Sequence, residues 1–443
     1  MRGGSLSMTQ TTAVVIGSSV AGIATGRVLA DRFDRVVVLD RDPLPADPVT
    51  RPGAPQGAHP HTMLVAGLNA LEELFPGFEK DLQADGATVF EAGPNLAFYR
   101  FGERWPFVST GVRLLCVSRP LLELTMRQRL ATASNVEIRG ETVVSHLAGS
   151  GGRITGVVLA SGETLPADLI VDCTGRGTRS DRWLDELGFP TPTVSEVKIG
   201  VSYASRILRR KHDDLAEGGA LYVVATPPHE KKVGIVLPIE GDRWLVTLGG
   251  WHGHAPSADP DAFAEYARSL PHPPVADLLA KAEPLTDIEV QRFPSSRRRH
   301  FERLKRIPTG FAVVGDALAT FNPIYGQGMT VALLQALALG AAIDRHGATS
   351  PMMARRYFPA AARIVSVPWR FATGADFLYP ETTGAKPPGV DLLNRYSIRI
   401  QRAAMHSTEV RRTFTSVQHL IEPASHLLTP RMVLKVLRAS RGS

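Results

Sequence analysis

Two hydrophobic periodicities alternate over the first forty residues. Positions 13–16 (AVVI) form an unbroken apolar run that stops at Gly17, the pattern of a strand buried on both faces. Positions 21–33 carry small and apolar residues that favour a helix, and 36–39 (VVVL) form a second apolar run ending in Asp40. This order predicts a βαβ unit. The stretch 41–62, RDPLPADPVTRPGAPQGAHPHT, is dense in Pro and Gly and predicts an irregular loop. Helical spacing follows at 63–74 and again at 121–131, where Ser118 and Pro120 suit a cap and a first turn. From 136 to 171 the pattern is that of strands, with a tight hairpin at 149–152. Strand patterns at 185–300, with one helix at 261–270, predict a separate and mostly antiparallel sheet inserted into the first domain. A short apolar strand at 311–314 and a small-residue helix at 328–343 return to that domain, and the last hundred residues read as mostly helical and basic. No internal repeat is seen.

With 443 residues, 44% hydrophobic and 21% charged, the chain reads as a soluble globular protein of two or three domains. A net charge of +7 favours anionic partners without singling out nucleic acid, and none is expected. Cys116 and Cys173 are the only cysteines, too few for a disulfide scaffold or a cysteine-rich metal site, and suit buried thiols in a reducing compartment. The opening MRGGSLSMTQ is polar and the apolar run after it is short, so neither a signal peptide nor a membrane span is expected and the location expected is cytoplasmic.

Two turns carry chemistry. GSSVAG, residues 17–22, matches G-x-G-x-x-G at Gly17 and Gly22, with Ser19 in place of the middle glycine. A pyrophosphate needs backbone N–H groups at a helix N-terminus and no side chain in its way. Gly17 suits the tight turn, Gly22 the close packing of helix on strand, and Ser19 is small enough to leave room or to donate its hydroxyl. Asp40, about 20 residues on, stands where an acid accepts ribose hydroxyls, which favours FAD or NAD over NADP. In GFAVVGDALATFNPIYGQGMTVALLQALAL, Gly315 and Asp316 follow a strand, and Pro323, Gly326, Gln327 and Gly328 open a helix. An acid there suits the ribityl hydroxyls of a flavin, and the helix N-terminus suits the electron-rich edge of its ring. A plain strand–loop–helix connector accounts for the same residues equally well.

Taken together, GSSVAG with Asp40, Arg119 at the start of its helix, and GDALATFNPIYGQG resemble the FAD-dependent monooxygenases of the aromatic-hydroxylase superfamily. The stretches PQGAHPHTML, DCTGRGTRSDRWL and NPIYGQGMTVA look most like the olefin epoxidases of polyether antibiotic biosynthesis, the monensin and lasalocid type. The motifs span roughly three quarters of the chain. The fold this implies is α/β: a Rossmann-like FAD-binding domain of the glutathione-reductase type, an inserted antiparallel substrate-binding sheet, and C-terminal helices. The expected division is 1–184 (with an excursion to the substrate domain near 75–115) and 301–345 for FAD, 185–300 for substrate, and 346–443 helical. The resemblance implies that Gly17, Ser19, Val20, Ala21 and Gly22 face the pyrophosphate and Asp40 the ribose. It places Arg41 and Arg119 at the adenosine and pyrophosphate side, Asp316 at the ribityl chain, and Pro323, Gly326, Gln327, Gly328 and Met329 beside the isoalloxazine. His59, His61 and Pro323 are candidate cavity residues, although an ordinary loop role suits the two histidines as well. No further ligand cluster accompanies them, so no metal is expected.

The implied reaction is insertion of one oxygen atom from O2 through a C4a-hydroperoxyflavin into a small apolar substrate, with epoxidation of a polyketide or terpenoid alkene in secondary metabolism as the first reading. Aromatic hydroxylation, or a flavin reductase or dehydrogenase acting on an isoprenoid or polyketide double bond, is the alternative. A non-catalytic nucleotide-binding module that shows a basic run to RNA is a third. No W-x-W-x-I-P segment supports a halogenase. Thr174-Gly175 stands where many relatives carry an Asp-Gly motif linked to NADPH and FAD. This weighs against direct use of NADPH; NAD(P)H acting through a partner flavin reductase is the other route. Val201, Tyr203, Val236, Leu237 and Leu248 read either as the apolar floor of a substrate cavity or as sheet core. The run 295–306, SSRRRHFERLKR, reads as a solvated helix face. The oligomeric state is open, and the C-terminal helices suit either a cover over the site or a subunit contact.

Overall fold

The computed structural model describes residues 10–215 and 219–439; residues 1–9, read above for a leader, lie outside them. Thr12–Ile16 runs into the helix Val20–Ala30 and returns as Arg35–Leu39. With three further strands they form a parallel sheet in the order Phe311–Val313, Leu169–Asp172, Thr12–Ile16, Arg35–Leu39, Val136–Arg139. Both faces are covered, which is why these strands read as unbroken apolar runs rather than alternating ones: Val14, Val37, Ile170 and Ala312 are all buried. The helix Val20–Ala30 packs against Arg119–Ala131 and Gly328–His346. The second of these helices is long and apolar enough to cross a bilayer, but Val331, Leu333, Ala336 and Leu339 bury it in the core.

The second sheet is larger. Its order is Ala319–Thr320, Glu289–Arg299, Val194–Arg209, Arg243–Gly250, Lys232–Ile239, Ala220–Val223, Leu96–Arg100, Glu103–Arg104, with Thr383–Gly384 paired to Val194–Arg209. Among the described residues every junction is antiparallel except that of Ala220–Val223 with Leu96–Arg100. One face is roofed by the helices Pro260–Arg268 and Pro274–Lys281, which bury Val236 and Leu248 against Phe263 and Leu278. The five residues that read either as cavity floor or as sheet core therefore divide. Side chains alternate along a strand, so Leu237 and Tyr203 face the cavity while Val236 and Leu248 face the helices, and Val201 packs into the main core.

The basic run departs from its reading as a solvated helix face. Its first part belongs to the strand Glu289–Arg299, followed by a single turn Phe301–Arg303. Arg297 pairs with Glu196 (2.9 Å), Arg299 with Asp181 (2.9 Å) and Arg298 with Glu302 (3.4 Å), and Arg299 and His300 are buried. Glu302 lies within the run, but Glu196 and Asp181 are distant in sequence, and local periodicity carries no trace of those two pairings.

Candidate cofactor and substrate cavity

A cavity of about 970 Å³ extends from the carboxyl ends of the parallel strands to the inner face of the large sheet and the C-terminal helices. At its first end, Gly17 has φ +102°, and a Cβ there would lie 2.7 Å from the Cys173 carbonyl oxygen. A Cβ on Gly22 would come within 1.7 Å of the Gly17 carbonyl, so Gly22 sits behind the turn and lets the helix close on the strand. Ser19, Val20 and Ala21 line the cavity. The Ser19 hydroxyl donates to Glu123 Oε1 (2.6 Å) and accepts from Arg119 Nη2 (2.8 Å).

Asp40 ends the second strand, buried. Its carboxylate accepts from Ser18 N and Oγ (both 2.8 Å) and from Asp42 N (2.9 Å), and pairs with Arg51 Nη1 (3.1 Å). Burial alone would raise its pKa, but the Asp42 N–H, the Arg51 charge and Ser18 outweigh it and hold the group below its ordinary value. Arg51 also reaches Asp42 (3.7 Å) and Glu123 (3.0 Å). Glu123 is buried too, yet Arg119, the Ser19 hydroxyl and Arg51 together bring its pKa down to about 2. Sequence reasoning passed over Arg51 and Glu123. Arg51 is one of two arginines in the Pro/Gly loop, with Arg41, and Glu123 lies one helical turn after Arg119, the only hints the sequence holds. Arg41, by contrast, lies at the rim with its side chain 68% exposed.

Arg119 opens its helix beside the Ser118 cap and donates to Glu123 Oε1 (2.8 Å) and Gln56 Oε1 (3.2 Å); it also lies 3.2 Å from His61 Nε2. His61 Nδ1 faces the His59 carbonyl oxygen (2.8 Å), which only an N–H can use, so Nε2 is the lone pair turned to Arg119 and the ring is neutral. Burial first, then Arg119, pushes the His61 pKa down to about 3. His59 contacts Ser205 Oγ (2.7 Å) and Tyr203 edge-on, and burial lowers it to about 4. Among the described residues no three His, Cys, Asp or Glu side chains converge as a metal site.

Gly315 (φ +72°) turns the chain at the end of Phe311–Val313, and its N–H donates to Gln335 Oε1 (2.7 Å). Asp316 then faces the cavity. No hydrogen bond from a described residue reaches its carboxylate, and burial raises its pKa although Arg119 and Arg176 oppose this. Pro323, Gly326 (φ +65°), Gln327, Gly328 and Met329 line the same space at the N-terminus of Gly328–His346, and Gln327 Oε1 is buried without a partner. Opposite, Thr174 is committed to the fold: its N–H (2.8 Å) and Oγ1 (2.6 Å) both donate to Asp172, as do Thr178 and Ser180. Arg176 donates to Ser295 Oγ (2.9 Å) and stacks on Phe293. Tyr396, Ile400 and Phe414 from the C-terminal helices complete the wall.

No protein-family model matches the chain. Protein Rv3254 of Mycobacterium tuberculosis (strain ATCC 25618 / H37Rv) is 34% identical over 394 residues, which covers 85% of this chain and 82% of that protein. The chain belongs to the family of Protein Rv3254. It is also 24% identical over 350 residues to the digeranylgeranylglycerophospholipid reductase of Haloferax volcanii, covering 75% of each. Among solved structures, PqsL, a probable FAD-dependent monooxygenase from Pseudomonas aeruginosa, superimposes with a TM-score of 0.60 at 18% identity, over 83% of this chain and 97% of that one. The flavin-dependent brominase Bmp2 does so at 0.68 and 15% identity, over 98% and 100%. This member of the Rv3254 family thus has the fold of flavin-dependent monooxygenases.

Proposed function

We propose that the chain is an FAD-dependent monooxygenase that adds one oxygen atom from O2 to an electron-rich carbon of a small, largely apolar molecule. The observation that carries this reading is one continuous cavity, shared by the glycine turn, Asp40, Arg119, Asp316 and the Gly328 helix at one side and by Tyr203, Leu237 and Tyr222 at the other. The residues present fit FAD. Asp316 and Gln327 offer polar atoms that no described residue partners, and Gly17, Gly22 and Gly315 are packed where a Cβ would collide. Bound FAD would supply the redox chemistry, activation of O2 and delivery of an oxygen atom. The chain's own part is to hold and to exclude. The first N–H groups of Val20–Ala30 would meet the pyrophosphate with Arg119 beside them. Asp40, steadied by Arg51 and Ser18, would take the ribose hydroxyls, Asp316 the ribityl chain, and the turn 323–329 the ring. Tyr203, Ile235 and Leu237 keep water from the reacting carbon. An alkene of a polyketide or terpenoid is the acceptor we favour, with an aromatic ring as the alternative; electrons come from NAD(P)H, directly or through a partner flavin reductase.

A second reading keeps FAD and removes the oxygen: reduction of an isoprenoid double bond, favoured by the likeness to the Haloferax volcanii reductase. Incubation with FAD, a reductant, 18O2 and alkene or phenol probe substrates separates the two. Product carrying one 18O supports the monooxygenase, epoxide from the alkene or diphenol from the phenol identifies the acceptor, and a product with two added hydrogens and no label replaces it by the reductase.

A further inference from the structure

The hairpin of Leu96–Arg100 and Glu103–Arg104 sets three side chains on one face. Phe98 and Arg100 stand two residues apart on a strand and so point the same way. Trp105 N donates to Phe98 O (2.8 Å), and the two rings lie 4.9 Å apart. All three line the cavity, on the side of Tyr325 and Tyr379. Among the described residues no carboxylate lies within ion-pair distance of Arg100, although the charge of Glu230 acts on it, and its Nε is buried without an acceptor. Its guanidinium packs over Phe101 at 5.3 Å. Trp105 Nε1, on the same face, is also buried without an acceptor.

Four other arginines of this cavity wall have protein partners, while Arg179 and Arg370 are exposed. Arg51 has Asp40, Asp42 and Glu123; Arg119 has Glu123; Arg176 has Ser295 and Thr320; Arg411 has the Pro106 carbonyl. The half-buried Arg100 guanidinium lines the cavity with no anion among the described residues at ion-pair distance, and a charge partly withdrawn from water gains from such a partner. The only carboxylates lining the cavity among the described residues are Asp40, taken by Arg51, and Asp316, on the Gly328 side. The cavity wall also carries Tyr222, whose ring lies 6.3 Å from that of Phe98, and Phe371, 5.9 Å from Tyr325.

We propose that Arg100 and Trp105 Nε1 form an oxyanion-recognition subsite, and that the substrate is a planar, apolar carboxylate whose charged end is held there while its body lies among the aromatic rings. A carboxylate offers the fork of acceptors that a guanidinium matches, and its second oxygen suits the indole N–H. The inference rests on the reading of this cavity as the substrate site. It is tested by calorimetric titration of FAD-saturated protein with 2-naphthoate and with 2-naphthamide, which share a ring system and differ in charge. Naphthoate is expected to bind about 10- to 100-fold more tightly, the range of a hydrogen bond to a charged group. Arg100→Met, which keeps the stem and removes the charge, should abolish that preference, and Arg100→Lys should keep part of it. Equal binding of the two probes by the unaltered protein, no binding of naphthoate, or a preference that survives Arg100→Met overturns the proposal. Failure of the broader reading is seen separately, as protein that takes up no FAD before any probe is added.

Discussion

Asp376 closes the helix Pro351–Asp376 wholly buried, and its two oxygens are treated unequally. Oδ1 accepts from Asn322 Nδ2 (2.8 Å), Tyr325 OH (3.2 Å) and Trp251 Nε1 (3.3 Å); Oδ2 has no partner. Burial pushes its pKa up to about 7 in spite of the three donors. Against the unfolded chain this is roughly three units at 1.36 kcal/mol each, or about 4 kcal/mol. The sign follows from which state keeps the proton. Between about pH 4 and pH 7 the unfolded chain loses it and the folded chain holds it, so stability contributed in acid is lost as pH rises to 7. Three histidines, His59 and His419 buried and His61 half-buried, run the other way. His59 and His419, lowered to about 4, and His61, lowered to about 3, stay neutral when folded, so their contribution is present above about pH 6.5 and is lost as pH falls. The observable is therefore a difference. Asp376→Asn preserves shape and the Oδ1 acceptor but removes the titration. Urea unfolding of both proteins from about pH 4 to pH 8 should show the variant gaining on the parent by about 1.4 kcal/mol per pH unit through mid-window, then levelling. Parallel profiles would refute the neutral buried carboxyl, as would a difference infrared spectrum without a protonated-carboxyl band.

Two further outcomes concern the cofactor end. Gly22→Ala drives a Cβ against the Gly17 carbonyl, a backbone atom that cannot step aside; a loss of more than about 3 kcal/mol, beyond ordinary overpacking, is expected by urea unfolding, together with loss of flavin retention. Asp316→Ala removes a carboxylate that no described residue needs, so the fold should stand while FAD affinity falls about 10- to 100-fold by fluorescence titration; unchanged affinity would remove Asp316 from the ribityl site.

The βαβ unit, the loop 41–62, the Ser118 cap and the strand before Asp316 were legible because each rests on local chemistry. An apolar run, a proline, or a glycine confined by its neighbours writes itself into a few adjacent residues. The same holds for the two turns at Gly17 and Gly315, whose positive φ values suit glycine. Arg51, Glu123, Arg100 and Asp376 left no such trace. Each is one charged residue in an ordinary stretch, and its character comes from what lies across the cavity.

Residue types along the chain were sufficient to determine that a parallel nucleotide-type sheet exists, where its turns stand, and which glycines they need, since backbone sterics and hydrophobic period act over a few residues. Only the tertiary structure decided that Ser19 turns its hydroxyl to Glu123, that the basic run is a paired strand, and that Val236 and Leu237 face opposite ways into roof and cavity. Charge pairing and desolvation depend on distance in space, and partners such as Arg176 and Ser295, 119 residues apart, meet only after the sheets have formed.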